Sequence, residues 1–207
     1  MKYSAFVIVV LCYLSVLSKA EQPYTVKMED AEYFNGLTET LFNCEMKLVG
    51  RKRLLNGTMT FGEDMASDHF KYQIEIFNAP PGDNQFKRLP LGVPRTAICE
   101  GFKAYYGEFL QPSFIQEENT NLPSMPKEGL CPFPKGEYWC KNLLLNTDAW
   151  PNQLPRGGEY WCKNLLLSTD AWPNQLPRGL VKAVITFFKD EVDVGGGSIT
   201  VRVEDRE

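Results

Sequence analysis

Catalytic residue types are scarce in this chain of 207 residues, which contains a single histidine, His69. A Ser-His or Cys-His mechanism would have to use that residue, and no nucleophile motif lies near it. The sequence also has no HExxH motif, no CxxC pair and no glycine-rich phosphate loop, which are the patterns that indicate zinc or nucleotide sites. We therefore interpret His69 as an ordinary surface or strand residue, and we expect neither enzymatic activity nor a metal or cofactor.

Basic patches are absent as well. The formal net charge is −4 at pH 7, and no stripe of lysines and arginines stands out. Nucleic-acid-binding domains carry such a stripe, so we expect no nucleic-acid partner. An acidic surface also disfavours electrostatic attraction to anionic membranes. The hydrophobic content of 43% is enough to fill a core, so we expect a folded globular protein.

No apolar run is long enough to cross a bilayer, which takes about 20 residues. The longest run, AFVIVVLCYLSVL at residues 5–17, follows a positively charged start. Ser18 and Ala20 then place small residues at the −3 and −1 positions of a cleavage site, so residues 1–20 are typical of a secretory signal peptide. We expect a secreted, extracellular protein without stable membrane insertion, and a single mature domain over residues 21–207.

A tandem repeat occupies the C-terminal half of the chain. Residues 136–157 (GEYWCKNLLLNTDAWPNQLPRG) and 158–179 differ only where Asn146 of the first block is replaced by Ser168 in the second. Solenoid proteins need about three copies, and their repeats diverge more than this. A recent duplication and an error in sequence assembly both remain open as explanations.

The cysteine count fits a secreted, disulfide-bonded protein in which one of the two repeat blocks adds a surplus cysteine. The cysteines that follow the predicted signal peptide are Cys44, Cys99, Cys131, Cys140 and Cys162. An odd number leaves one thiol without a partner. Deleting either block leaves four cysteines, which allow three pairings, and spacing alone does not choose between them.

Alternating apolar and polar residues predict antiparallel β-strands along the mature chain. Such alternation occurs at residues 24–29, 70–76 and 199–204, and it indicates strands with one buried face and one wet face. The run at residues 180–188 (LVKAVITFF) is more apolar and predicts a strand inside a sheet. We infer two packed antiparallel sheets.

One segment has helical spacing instead. Ile98, Phe102, Tyr105 and Phe109 would form a single apolar stripe over about three turns of helix. Two glycines within the segment weaken a helix by about 1 kcal/mol each relative to alanine. We therefore expect one short helix at an edge of the sheets.

Two glycine-containing motifs predict turns. Asn56-Gly57, between residues 52–55 and 59–61, is typical of a two-residue β-hairpin, and residues 195–197 (GGG) predict another turn between strands. Asn56-Gly57-Thr58 is also the one N-glycosylation sequon of the chain. On a hairpin turn of a secreted protein, Asn56 would be a candidate glycosylation site.

The order of short motifs in the C-terminal half resembles that of a known domain. Cys131 begins the sequence CPFPKGEY, a polar and proline-containing stretch follows, and Leu176-Pro-Arg-Gly-Leu leads into a hydrophobic strand. This order is similar to the ML (myeloid-differentiation-factor-2-related lipid-recognition) domain superfamily, which includes ganglioside activator protein. It looks closest to a group of secreted insect proteins of unknown function within that superfamily, some of them implicated in chemosensation. The resemblance covers roughly residues 24–202.

The resemblance implies a two-sheet antiparallel immunoglobulin-like β-sandwich with one short helix, whose sheets splay apart to admit a hydrophobic ligand. We therefore expect a secreted, non-enzymatic carrier of a lipid, fatty acid or sterol, with chemosensation as one use and a receptor protein as a further partner. One buried acyl chain supplies micromolar affinity at about 0.8 kcal/mol per methylene. An extracellular interaction or co-receptor module with a self-filled interior is the alternative, and a secreted hydrolase ranks third.

Inward-facing residues would form the ligand pocket of such a domain. By alternation these are Phe70, Tyr72, Ile74, Ile76, Ile185, Phe187, Ile199 and Val201 on the strands, and Phe102, Tyr105 and Phe109 on the helix. The resemblance also implies that Cys99 pairs with Cys131, and that Cys44 pairs with Cys140 or Cys162. The second repeat block departs from the ML pattern, which has one copy. Here the first copy keeps the entry to that region and the second keeps the exit.

Overall fold

The computed structural model describes residues 23–126, 129–146 and 177–206. The predicted signal peptide, Cys162 and most of the second repeat block lie outside these residues. The described chain is mainly β, and its strands are β1 (Tyr24–Phe34), β2 (Phe42–Val49), β3 (Leu54–Phe61), β4 (Phe70–Ala79), β5 (Lys87–Ala97), β6 (Gly136–Leu143), β7 (Gly179–Lys189) and β8 (Val192–Asp205).

The strands form two sheets. One sheet has five strands in the order β1-β8-β7-β4-β5, and the other has three in the order β2-β3-β6. Every neighbouring pair is antiparallel. The predicted two-sheet antiparallel β-sandwich is therefore confirmed.

One helical segment, residues 98–113, follows β5. It begins as α1 (Ile98–Gly101), widens into a π-helical stretch (Phe102–Leu110) and ends in a 3₁₀ turn (Gln111–Ser113). The predicted short helix is present, but its turns are wider than the α-helical spacing assumed from the sequence. Within the described residues, no helix is long and apolar enough to cross a membrane.

The turn predicted at Asn56-Gly57 is wrong. Both residues lie inside β3, and the chain reverses between β2 and β3 at residues 50–53 instead. There the backbone N–H of Arg53 donates to the carbonyl oxygen of Gly50 at 3.1 Å. Gly50 and Arg53 both have positive φ angles, of 68° and 52°, which suits a tight reversal.

The turn predicted at residues 195–197 is wrong too, because these glycines lie inside β8. The chain reverses before them, at Asp190 and Glu191, whose φ angles are positive. The glycines instead permit close packing, since a Cβ on Gly196 would lie 2.2 Å from the carbonyl oxygen of Ile185 on β7. Glycine in a strand often marks such a close approach.

The two repeat blocks contribute to different sheets. β6 consists of residues of the first block and belongs to the three-stranded sheet. Gly179, the last residue of the second block, begins β7 in the five-stranded sheet. The first copy thus supplies the entry to this connection and the second supplies its exit, as the sequence predicts.

Candidate ligand-binding site

Two separate clusters of buried side chains fill the two ends of the sandwich. The first, called the aromatic cluster, consists of Phe42, Phe61, Met65, Phe70, Tyr72, Val93, Ile98, Leu122, Met125, Phe133, Tyr138, Phe187 and Val194. The second, called the aliphatic cluster, consists of Tyr24, Met28, Leu55, Cys140, Leu143, Val181, Val201 and Val203. Rings within the aromatic cluster are in direct contact, with centroids of Phe42 and Phe187 4.4 Å apart.

Between the clusters lies a band of inward-facing side chains that are only partly buried. We call it the interior belt, and it consists of Ile74, Ile76, Ala183, Ile185 and Ile199 on the five-stranded sheet and Cys44, Met46 and Met59 on the three-stranded sheet. The same order repeats from strand to strand. On β7, for example, Phe187 and Val181 are buried at the two ends, and Ile185 and Ala183 between them are partly exposed.

Partial exposure in the middle of a sandwich is the reverse of ordinary packing. A filled core is close-packed, and its central side chains are the most deeply buried. Here the central inward-facing side chains of both sheets are partly exposed, while the cluster residues at the two ends are buried. The interior belt is therefore the candidate lining of a binding site, and its apolar side chains suit an apolar molecule.

The residues predicted to line a pocket all occupy the interior where their side chains are described. Phe70, Tyr72, Phe187 and Val201 are members of the clusters, and Ile74, Ile76, Ile185, Ile199 and Phe102 pack against them. Tyr105 and Phe109 lie on the π-helical stretch, and their side chains are outside the described part of the structure. Contact of any of these residues with a ligand stays a prediction.

The opposite wall of the belt was not predicted from the sequence. Cys44 and Met46 lie on β2 and Met59 lies on β3, and all three pack against the clusters. The alternation of Phe42, Cys44 and Met46 along β2 is a strand signal that was available in the sequence.

Three ionisable groups, one in the belt and two packed in or against the clusters beside it, are uncharged at neutral pH. Burial, and secondarily the neighbouring Cys140, raise the pKa of the Cys44 thiol to about 12. Burial also raises the pKa of the Cys140 thiol and of the Tyr106 phenol. Each of these groups is neutral when protonated. An apolar ligand bound beside them would therefore not have to displace water from a charged group.

Cys44 and Cys140 are free thiols, so the pairing of Cys44 with Cys140 that the ML resemblance implies is not formed. Cys44 lies on β2 and Cys140 on β6, with β3 between them. Two interstrand spacings separate these backbones by about 9–10 Å, whereas a disulfide needs Cα atoms about 4.4–6.8 Å apart. Cys162, the other expected partner, lies outside the described residues. The expected Cys99–Cys131 disulfide is present, with Cα atoms 5.5 Å apart.

One side of the sandwich is closed by direct contact between the sheets. β1 adjoins β2, and the turn after β2 is fixed to β1 by Arg53. The guanidinium of Arg53 donates to the carbonyl oxygen of Met28 at 2.6 Å and also to that of Glu29. A side chain that binds two carbonyls of a neighbouring strand holds the edges together.

On the other side of the sandwich, the described residues of the edge strands β5 and β6 make no contact as extensive as that between β1 and β2. The helical segment lies against β4 and β5 there, and the chain that follows it bridges to β6 through Thr120 and Cys140. The Cys99–Cys131 disulfide joins the start of the helix to the chain that enters β6. On this side the described contacts between the sheets run through the helical segment and the chain that follows it, rather than through adjoining edge strands.

A groove lies at the β5 edge of the five-stranded sheet. We call it the edge groove; it has a volume of about 490 Å³ and is lined by Gln73, Ile74 and residues 88–94. The register of β5 against β4 shifts twice, because Pro90 and Pro94 cannot donate to the ladder. Ile74 borders both the edge groove and the interior belt.

Asn56, the candidate glycosylation site, is not on an exposed turn. Its side-chain Oδ1 accepts a hydrogen bond from the backbone N–H of Asn142 at 3.1 Å, across a register shift between β3 and β6. Its Nδ2, the atom that would carry a glycan, is buried. A glycan there would have to displace the surrounding chain.

His69 stands at the start of β4, away from the interior belt. Its Nδ1 lies 3.0 Å from Oδ1 of Asp190 in the β7–β8 turn. The hydrogen bond to Asp190 and the charges of Asp68 and Asp190 raise the pKa of His69 above its ordinary value of 6.5. Within the described residues, no group of three or more His, Cys, Asp or Glu side chains is arranged to hold a metal ion.

In a comparison with known protein families, residues 72–160 match the model of a family described as "Protein of unknown function (DUF1091)". The match spans less than half of the 207 residues and runs from β4 through β5 and the helical segment into β6. It therefore includes the edge groove, the Cys99–Cys131 disulfide and part of the interior belt. No curated protein matches the chain significantly.

Proposed function

We propose that the protein is a secreted, non-enzymatic carrier that holds a hydrophobic small molecule between its two sheets, in the manner of ML-type lipid-recognition domains. The ligand class is a lipid, fatty acid or sterol, and delivery to a chemosensory receptor is one use of such a carrier. The observation that supports this proposal best is the interior belt, which is apolar, faces inward and is partly exposed between two sealed clusters.

The asymmetry of the sandwich supports the same proposal. A carrier needs a route by which its ligand enters, and on the β5–β6 side the sheets are linked by the helical segment and the chain after it rather than by adjoining edge strands. Phe102 and Tyr106 of that helix pack against the aromatic cluster. Covering elements of this kind move more easily than the strands of a sheet.

Ala183 offers a direct test, because it is a small side chain in the middle of the belt, opposite Ile76 on β4 and Ile199 on β8. We expect Ala183→Phe to fill the space and abolish ligand uptake while the protein stays folded. Val184→Phe is the matched control, since Val184 is the next residue on β7 and faces outward by alternation. It should bind as the unsubstituted protein does.

The measurement is native mass spectrometry of the secreted protein, with palmitic acid, methyl palmitate and cholesterol as ligands. A stoichiometric adduct that Ala183→Phe alone removes supports the carrier. If no ligand binds and Ala183→Phe lowers the free energy of unfolding by about 1–3 kcal/mol, the interior is already filled and the proposal is overturned.

An interaction or co-receptor module is the second candidate, favoured by one exposed apolar patch. Leu37 is 81% exposed, and its backbone N–H donates to the carbonyl oxygen of Asp193, beside the exposed Val192. Exposed apolar patches mark protein–protein contacts. In this reading Leu37→Asp removes partner binding, whereas Ala183→Phe has no effect on it.

A further inference from the structure

The edge groove combines an apolar floor with polar groups that have spare hydrogen-bonding capacity. Ile74 and Val93, which face each other across the β4–β5 ladder, border it, and Val93 is a buried member of the aromatic cluster. Gln73 and Arg88 border it as well. At about 490 Å³ the groove has the size of a small-molecule site, for which about 300–1,000 Å³ is usual.

Arg88 is the cation of this groove. Its Nη2 lies 2.9 Å from Oε1 of Glu75, and 64% of its side chain is exposed. Among the described residues Glu75 is its one ion-pair partner, so the remaining guanidinium N–H groups point to solvent or to a ligand. Guanidinium carries five N–H donors in a planar fork, which matches the two oxygens of a carboxylate.

We infer that the edge groove binds the carboxylate of a long-chain fatty acid, with Arg88 holding the head group and Ile74 contacting the chain. This inference rests on the proposed carrier function, because Ile74 lines the groove and is also a member of the interior belt. Gln73 supplies an amide N–H to the same head group. The site thus accounts for selection among hydrophobic ligands, which the apolar belt alone does not provide.

The test compares palmitic acid with methyl palmitate, which has the same chain and no charge. Affinities of the full secreted protein are measured at pH 7.4 by displacement of a fluorescent apolar probe. The variant is Arg88→Gln and the matched control is Lys87→Gln. Lys87 is the preceding residue on β5, is exposed, and does not line the groove, so both variants lose one positive charge from the same strand.

We expect palmitic acid to bind more tightly than its ester, and Arg88→Gln to weaken palmitic acid about three- to fivefold, the size of an exposed ion pair. Binding of the ester should not change in either variant, and Lys87→Gln should bind palmitic acid normally. Gln73→Leu should weaken the acid less than Arg88→Gln does, and far-ultraviolet circular dichroism confirms that each variant is folded.

The outcomes separate this inference from the proposed function. Equal affinity for acid and ester, unaffected by Arg88→Gln, overturns the head-group site and leaves the carrier intact. Equal weakening by Arg88→Gln and Lys87→Gln also overturns it, because the effect is then one of general charge. Binding of neither ligand to the unsubstituted protein overturns the head-group site, and the carrier is overturned as well if cholesterol does not bind either.

Discussion

Gly57 on β3 approaches Glu45 on β2 so closely that a Cβ at residue 57 would lie 2.0 Å from the Glu45 carbonyl oxygen. Gly57 also has a φ angle of 150°, which L side chains rarely adopt. We therefore expect Gly57→Ala to lower the free energy of unfolding by about 2–3 kcal/mol or more, since both strain and a clash with backbone are involved. Urea unfolding followed by tryptophan fluorescence measures this change.

Gly50→Ala is the control for that prediction. Gly50 also has a positive φ angle, of 68°, but an added Cβ would have no atom within 4 Å. Gly50→Ala should lower the free energy of unfolding by only about 1 kcal/mol, which is the ordinary penalty for an L residue in the left-handed region. A smaller loss for Gly57→Ala than for Gly50→Ala would contradict the close approach of β2 and β3.

The Cys99–Cys131 disulfide closes a loop with a sequence separation of 32 residues. By constraining the unfolded chain, a bridge that closes a loop of that length stabilises the folded protein by about 3.7 kcal/mol. We expect Cys99→Ser combined with Cys131→Ser to lower the free energy of unfolding by that amount. Dithiothreitol should destabilise the unsubstituted protein similarly and leave the double variant unchanged; sensitivity of the double variant would point to a different bridge.

The Cys44 thiol should be nearly inert in the folded protein. Its pKa is raised to about 12 from an ordinary 9.0, so at pH 8 its thiolate is roughly a thousandfold less populated than that of a free cysteine. In a Cys162→Ser background, a dithiobisnitrobenzoate assay at pH 8 should detect slow release in buffer and rapid release in urea. A fast native phase would show that Cys44 and Cys140 are accessible.

His69 should give a small pH dependence of stability through Asp190. Because the folded-state pKa is raised above 6.5, the interaction stabilises the protein fully below pH 6.5 and is lost as the pH rises through the raised value. Nuclear magnetic resonance of the untagged protein isolates this one imidazole. Asp190→Asn should return the pKa of His69 toward 6.5, and an unchanged titration would assign the shift to another group.

Sequence alternation was sufficient to orient the strands of the five-stranded sheet. Ile74, Ile185 and Ile199 face the interior as their period-two spacing predicts. Their partial exposure was not predictable, because it depends on how far two sheets stand apart, and no local pattern encodes that distance. The spacing also placed a helix after β5 correctly, but not the widening of its turns.

The wrong predictions concern residues whose structural role depends on residues far away in the sequence. Asn56-Gly57 has the composition of a hairpin, yet Gly57 is needed inside a strand by the approach of Glu45. Because Asn56-Gly57 was interpreted as a turn, β2 was not predicted as a separate strand. The wall of the belt that contains Cys44 was therefore not predicted either. The free state of Cys44 follows from the position of β3 between β2 and β6, which is a property of topology rather than of spacing.

The origin of β6 and β7 in different copies of the repeat has a consequence for the engineering of this chain. Because the copies are identical except at Asn146 and Ser168, removal of either one restores the same residues to both strands. The repeated segment joins β6 and β7, which lie in different sheets and do not pair with each other. Its length therefore does not determine the register of any strand pair. Between β6 and β7, then, this sandwich has a natural insertion point, where a reporter or affinity sequence can replace the redundant copy.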